Sequence, residues 1–98
     1  MDLRAIVVDD ERLARDELCY MLEQLGGVEV IAQAGNGLEA IASIERLSPD
    51  VVFLDVQMPG LTGFEVARHL LENRSCPAIV FVTAFDRYAI DAFEVRNT

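Results

Sequence analysis

Apolar residues along this chain fall in short continuous runs, separated by longer stretches in which they recur at spacings of three and four. Continuous apolar runs suit strands buried on both faces of a sheet, and the three-and-four spacing suits helices with one buried stripe. Ala5 to Val8 is the first predicted strand. A helical stretch follows in which Leu13, Ala14, Leu18, Met21, Leu22 and Leu25 share the pattern, and Gly26-Gly27 supplies the stop. Val28 to Ala34, partly alternating, is predicted as strand 2. Asn36, inside the turn Gly35-Asn36-Gly37, is positioned to cap a second helix carrying Leu38, Ala40, Ile41, Ile44 and Leu47, which ends at Ser48-Pro49. Strand 3 is Val51 to Asp55. Thr62 or Gly63 opens a third helix presenting Phe64, Ala67, Leu70 and Leu71, and Thr62 with Glu65 has capping-box form. Pro77 introduces strand 4, Ala78 to Thr83. Asp86 reads as the cap of a fourth helix reaching about Val95, with Ala89, Ala92 and Phe93 inward.

Strands alternating with helices predict an α/β fold, a doubly wound parallel sheet joined by right-handed crossovers. Strands 3 and 4 are the most apolar and are expected at the centre. Strand 2 is expected near an edge. No repeat, linker or low-complexity segment interrupts the pattern.

Composition narrows the picture. Ninety-eight residues, 52% of them hydrophobic, make one small domain with material for a core. A net charge of −9 argues against nucleic-acid binding by this segment, because phosphate contacts need clustered Lys and Arg. Cys19 and Cys76 lie far apart with no CxxC spacing, and His69 is the single histidine, so reduced structural cysteines are expected and a zinc site is not. Met1-Asp2-Leu3-Arg4 runs straight into a strand without a signal peptide, and no apolar run approaches membrane-spanning length. A cytoplasmic location is expected.

The chemistry gathers where strands end. In a parallel sheet every carboxyl end points to one rim, where open α/β folds bind ligands. That rim receives Asp9 and Asp10 after strand 1, Asp55 after strand 3 and Thr83 after strand 4. Carboxylates a few ångströms apart repel by on the order of several kcal/mol, and a divalent cation relieves this. Carboxylates, a backbone carbonyl and waters describe a Mg2+ site. One carboxylate can remain as a nucleophile toward phosphorus, giving an aspartyl phosphate. The Thr83 hydroxyl could then hydrogen-bond the transferred group.

Val7-Val8-Asp9-Asp10-Glu11, Leu54-Asp55-Val56-Gln57-Met58-Pro59-Gly60 with Gly63, and Val82-Thr83-Ala84 together resemble the receiver domain of two-component response regulators. The likeness spans essentially the whole chain, residues 1–98. It implies a flavodoxin-like sheet of order 2-1-3-4 and a phospho-acceptor role for Asp55. It implies Mg2+ held directly by Asp10, largely through water by Asp9, and by the backbone carbonyl of Gln57. Thr83 would be the switch hydroxyl. A histidine kinase is the implied phosphoryl donor, and an output domain, DNA-binding and transcriptional, is the implied recipient of the signal. The stretch Thr83 to Val95 resembles receivers that precede LytTR-type DNA-binding domains. Receivers also carry a fifth strand ending in Lys-Pro and a fifth helix. All eight basic residues here are arginine, so no residue takes over the lysine's role. The expectation is therefore a receiver cut before its fifth strand, with the output domain absent, rather than a natural regulator lacking the lysine. An exposed strand 4 would invite pairing with another copy.

Other residues have plainer readings. His69 is expected on the polar half of helix 3, Met58 in the loop rather than on a metal, and Tyr88 and Phe93 in packing. Glu11 suits the first turn of helix 1 through the macrodipole. Arg12 and Arg15 read as a solvated face. The competing function is an interaction module that dimerises without phosphorylation. A phosphatase would want an acid at Gln57, and a flavin site a hydroxyl-rich loop where Asp9 and Asp10 stand.

Overall fold

The computed structural model describes residues 2–72 and 76–82. The elements alternate as β1 (Leu3–Val8), α1 (Arg12–Leu25), β2 (Val28–Ala34), α2 (Gly37–Leu47), β3 (Val51–Asp55), α3 (Gly63–Glu72) and β4 (Ala78–Val82). Thr83 and the helix expected from Asp86 to Val95 lie outside the described residues.

All strand pairs are parallel and their order is β2-β1-β3-β4, as the receiver resemblance implies. The first crossover steps from β1 outward to β2, and the next steps back past β1 to β3. Right-handed connections taken in opposite directions put their helices on opposite faces of the sheet. Accordingly, Ile6, Val8, Val52 and Leu54 pack with Ala40 and Ile44 of α2 and Val66, Ala67 and Leu70 of α3 in one core. Ala5 and Val7, equally buried, point to the α1 face by strand alternation. Fully buried side chains such as Ile6, Ile44, Leu54 and Leu70 each contribute about 1.5–3 kcal/mol.

Several expectations change. β1 begins at Leu3 rather than Ala5, because Leu3 N donates to Gly27 O at 2.9 Å and Leu3 pairs with Val28 although both Leu3 and Arg4 are exposed. Backbone pairing, not burial, adds those residues. Strands 3 and 4 were expected to be the most central. Instead β1 and β3 occupy the middle, and β4 ends the sheet among the described residues, with Val80 43% exposed. Apolar composition registers burial against helices as well as neighbouring strands, so it does not rank sheet position alone. β2 is peripheral, as expected. It also carries a bulge: Ala5 pairs with Val30 and Ile6 with Ala32, leaving Ile31 as the extra residue.

The helix faces also differ from their patterns. On α1 only Leu22 is buried, while Leu13 is 82% and Leu25 77% exposed. On α3, Val66 is buried and Phe64 and Leu71 are exposed. Phe64 instead sets its ring 5.0 Å from that of Phe81 on β4. The caps agree with the sequence. Asn36 Oδ1 accepts from Glu39 N at 2.9 Å, Thr62 Oγ1 accepts from Glu65 N at 3.2 Å, and Glu65 Oε1 accepts from Thr62 N at 3.1 Å. Gly26, at φ 80°, closes α1 through its N–H to Leu22 O. Among the described residues no helix is long and apolar enough to cross a membrane.

Candidate phospho-acceptor and metal site

The acid rim forms because β1 and β3 are neighbours and end level. Val8 pairs with Leu54, so the residues just beyond them emerge side by side. Asp9 is half-buried and tightly held. Its N–H donates to Ala34 O at 3.1 Å, and its Oδ1 accepts from Glu11 N at 2.9 Å. Asp10, one residue on, is exposed. Glu11 occupies the N-cap position of α1, with no cap bond from its side chain, so it precedes the first turn in which it was expected.

Asp55 is the last residue of β3 and half-buried. Its Oδ1 accepts from Gln57 N at 3.2 Å, which turns the chain sharply after the strand. The neighbouring Val56 bonds on both sides: its N–H donates to Val82 O at 3.3 Å, and its carbonyl accepts from Gly63 N at 3.0 Å. Gly63 is required there. A Cβ at that position would collide with the Asp55 carbonyl oxygen and stand 2.9 Å from Val56 Cα. Further along the loop, Met58 is buried in the core cluster and Gly60 adopts φ 81°. Met58 is thus an anchor for the loop, and its thioether plays no part in the acid cluster. His69 lies on α3 with Nε2 3.6 Å from Glu45 Oε1 and 44% of its side chain exposed, as its surface reading expected.

Asp9, Asp10 and Asp55 each bring a carboxylate oxygen within 4.8 Å of the others. Such spacing costs on the order of 3–4 kcal/mol for each ionised pair at the effective dielectric of a protein surface, before screening by salt. The strain shows on Asp55, whose carboxyl is pushed up to about 6. Burial is the largest cause and the Asp9 charge the next, opposed by the Gln57 N–H and reinforced by the charge of Asp10 and a hydrogen bond with its carboxyl. Oxygen donors clustered at this distance, with like charges uncompensated, fit a hard divalent cation. A largely apolar cavity is lined by Val56, Gln57, Met58, Pro59, Thr62 and Phe64 of the loop after β3 and the start of α3. It contains no carboxylate.

One residue was missed. Arg15, read from sequence as part of a solvated face, is half-buried. Its Nη1 donates to Asp9 O at 2.7 Å and its Nε to Gln33 Oε1 at 3.3 Å. A signal existed: cations near a helix N-terminus oppose the macrodipole, so an arginine one turn into α1 calls for an acceptor close by.

The model of the response regulator receiver domain family matches residues 5–97. An uncharacterized response regulatory protein of Yersinia pestis is 55% identical over 92 residues, covering 94% of this chain and 38% of that protein. The sensory transduction protein LytT of Bacillus anthracis is 50% identical over 93 residues, with 95% and 38% covered. Among solved structures, the signal receiver domain of the response regulator NarL from Mycobacterium tuberculosis superposes with a TM-score of 0.80 at 31% identity, covering 85% of this chain and 67% of that one. The chain therefore spans 38% of the length of the curated relatives it matches.

Proposed function

Since the chain belongs to the response regulator receiver domain family, we propose that it acts as a phospho-acceptor, taking a phosphoryl group from a histidine kinase onto Asp55. The observation that carries this reading is the meeting of Asp9, Asp10 and Asp55 within 4.8 Å at one strand-end rim. The transfer forms a bond from an Asp55 carboxylate oxygen to phosphorus and breaks the phosphorus–nitrogen bond to the donor imidazole. Gln57 N holds Oδ1, which leaves Oδ2 as the oxygen not held by the loop. A carboxyl raised to about 6 is still mostly ionised at neutral pH, as a nucleophile must be.

Asp9, Asp10, Asp55 and the backbone carbonyl of Gln57 would hold Mg2+, which supplies charge neutralisation to the transferred group. The protein's own part is positioning, as in phosphoryl transfer generally. Thr83, the residue after β4, would be the switch hydroxyl. The relatives' greater length leaves room for an output domain, for which a DNA-binding, transcriptional role is proposed. In this reading residues 1–98 are one receiver domain that signals rather than turns over a substrate, and its location is cytoplasmic.

The test is mass gain on incubation with a small-molecule phosphodonor, in a protein extending beyond residue 98. A gain of one phosphoryl group that requires Mg2+ and disappears in Asp55→Asn is expected. No Mg2+-dependent gain in the unsubstituted protein overturns the reading. The 98-residue chain, which has no lysine, is expected to react slowly or not at all.

A further inference from the structure

The peptide joining Asp9 to Asp10 is held through its carbonyl, and the peptide before it through its N–H. The Asp9 N–H is held by Ala34 O of β2 at 3.1 Å, and the Asp9 carbonyl accepts from Arg15 Nη1 at 2.7 Å. Arg15 is in turn steadied by Gln33 Oε1 at 3.3 Å, one residue before Ala34 on the same strand. The Asp9 carbonyl belongs to the planar unit that also contains the Asp10 N–H. Fixing that oxygen therefore fixes the direction in which the chain leaves for Asp10 Cα. Asp10 is exposed and meets Asp55 through its carboxyl, so the direction of this peptide helps to aim it at Asp9 and Asp55.

We propose that Arg15 is a positioning residue for the acid pair: through the Asp9 carbonyl it orients the Asp9–Asp10 peptide so that the two carboxylates converge with Asp55 on a divalent cation. This rests on the reading of the rim as a metal-assisted acceptor site. Two effects of the guanidinium oppose one another. As a nearby positive charge it weakens cation binding, and as a hydrogen-bond donor to the ligand backbone it strengthens it. Partners of this kind, one step removed from the cation, typically change metal affinity about 10- to 100-fold, so the positioning effect is expected to dominate. Gly35 offers an independent handle. A Cβ there would stand 3.3 Å from Arg15 Nη1 and 3.4 Å from Glu39 Oε2, so a branched side chain at 35 crowds the guanidinium without removing it, together with the Glu39 carboxylate that accepts from Gly35 N.

The experiment titrates MgCl2 into the protein and follows the backbone amide resonances of Asp10 and Gln57, with thermal midpoints measured on each variant. Arg15→Met and Gly35→Val should each weaken Mg2+ affinity about tenfold, with the double variant no worse than either alone. Arg15→Lys, which keeps the charge but loses the fork, should also bind more weakly than the native protein. Unchanged or tighter binding in a folded Arg15→Met overturns the proposal, because the charge effect alone predicts tightening. Additive losses in the double variant overturn it as well. Should Arg15→Met fail to fold, Gly35→Val decides alone, and native affinity there overturns the proposal. Absence of Mg2+ saturation in the unsubstituted protein overturns the acceptor-site reading and this inference together. Saturation there with unaltered variants overturns only the role of Arg15.

Discussion

Asp55 is a carboxylate whose surroundings disfavour its own charge. Burial and the Asp9 charge raise it from an ordinary 3.8 to about 6, so between those values the folded protein keeps a proton that the unfolded chain has lost. Stability of the metal-free protein therefore falls as pH rises through that window and stays lower at neutrality. Asp55→Asn removes the penalty. At pH 7 without metal it should stabilise the protein by on the order of 1 kcal/mol, allowing for the screening of a half-exposed group. In a domain of this size that is a rise of about 4–8 °C in Tm. At pH 4 the gain should vanish, and calorimetric scans at the two pH values check both statements. The same carboxyl must lose its proton to hold a cation, so Mg2+ affinity should decline as pH falls below about 6. Titrations across pH 5 to 8 measure that.

At the scale of the element, α3 approaches the site through a glycine. Gly63→Ala puts a methyl group against the Asp55 carbonyl and Val56 Cα, both of them backbone that cannot step aside. A loss of about 1–3 kcal/mol in urea unfolding is expected. Asn36→Ala, which removes the acceptor for Glu39 N, should cost about 1 kcal/mol in the same assay. These local devices were readable beforehand, because Asn36, Thr62 with Glu65, and Gly26 act within a few residues of themselves. The buried face of α1 was not. Six of its apolar positions share a helical pattern, yet Leu22 alone is buried. Periodicity identifies a helix and its stripe, whereas burial depends on what the rest of the fold sets beside that stripe.

At the scale of the whole molecule, one sheet supplies the core on the α2–α3 face and the rim at its end. Val52 and Leu54 lie in that core one strand-turn from Asp55, so packing and site share a strand. Leu54→Ala should cost about 2–5 kcal/mol in urea unfolding. For the proposed signalling role, sedimentation with and without a phosphoryl mimic such as beryllofluoride, in the longer protein, distinguishes the two functions. A shift in association with the mimic is expected of a phospho-acceptor. An association indifferent to it supports the dimerising module instead.

The amino-acid sequence by itself determined the kind and order of the described elements and the placing of Asp9, Asp10 and Asp55 at strand ends. Those properties follow from hydrophobic period and from punctuation by Gly, Pro and capping residues, all of which act over a few positions. Only the tertiary structure decided that β1 and β3 share the centre, that the three carboxylates meet within 4.8 Å, and that Arg15 grips the peptide between two of them. Each of these needs strands and helices to be brought into register across dozens of residues, and that alignment comes from the packing of the sheet as a whole.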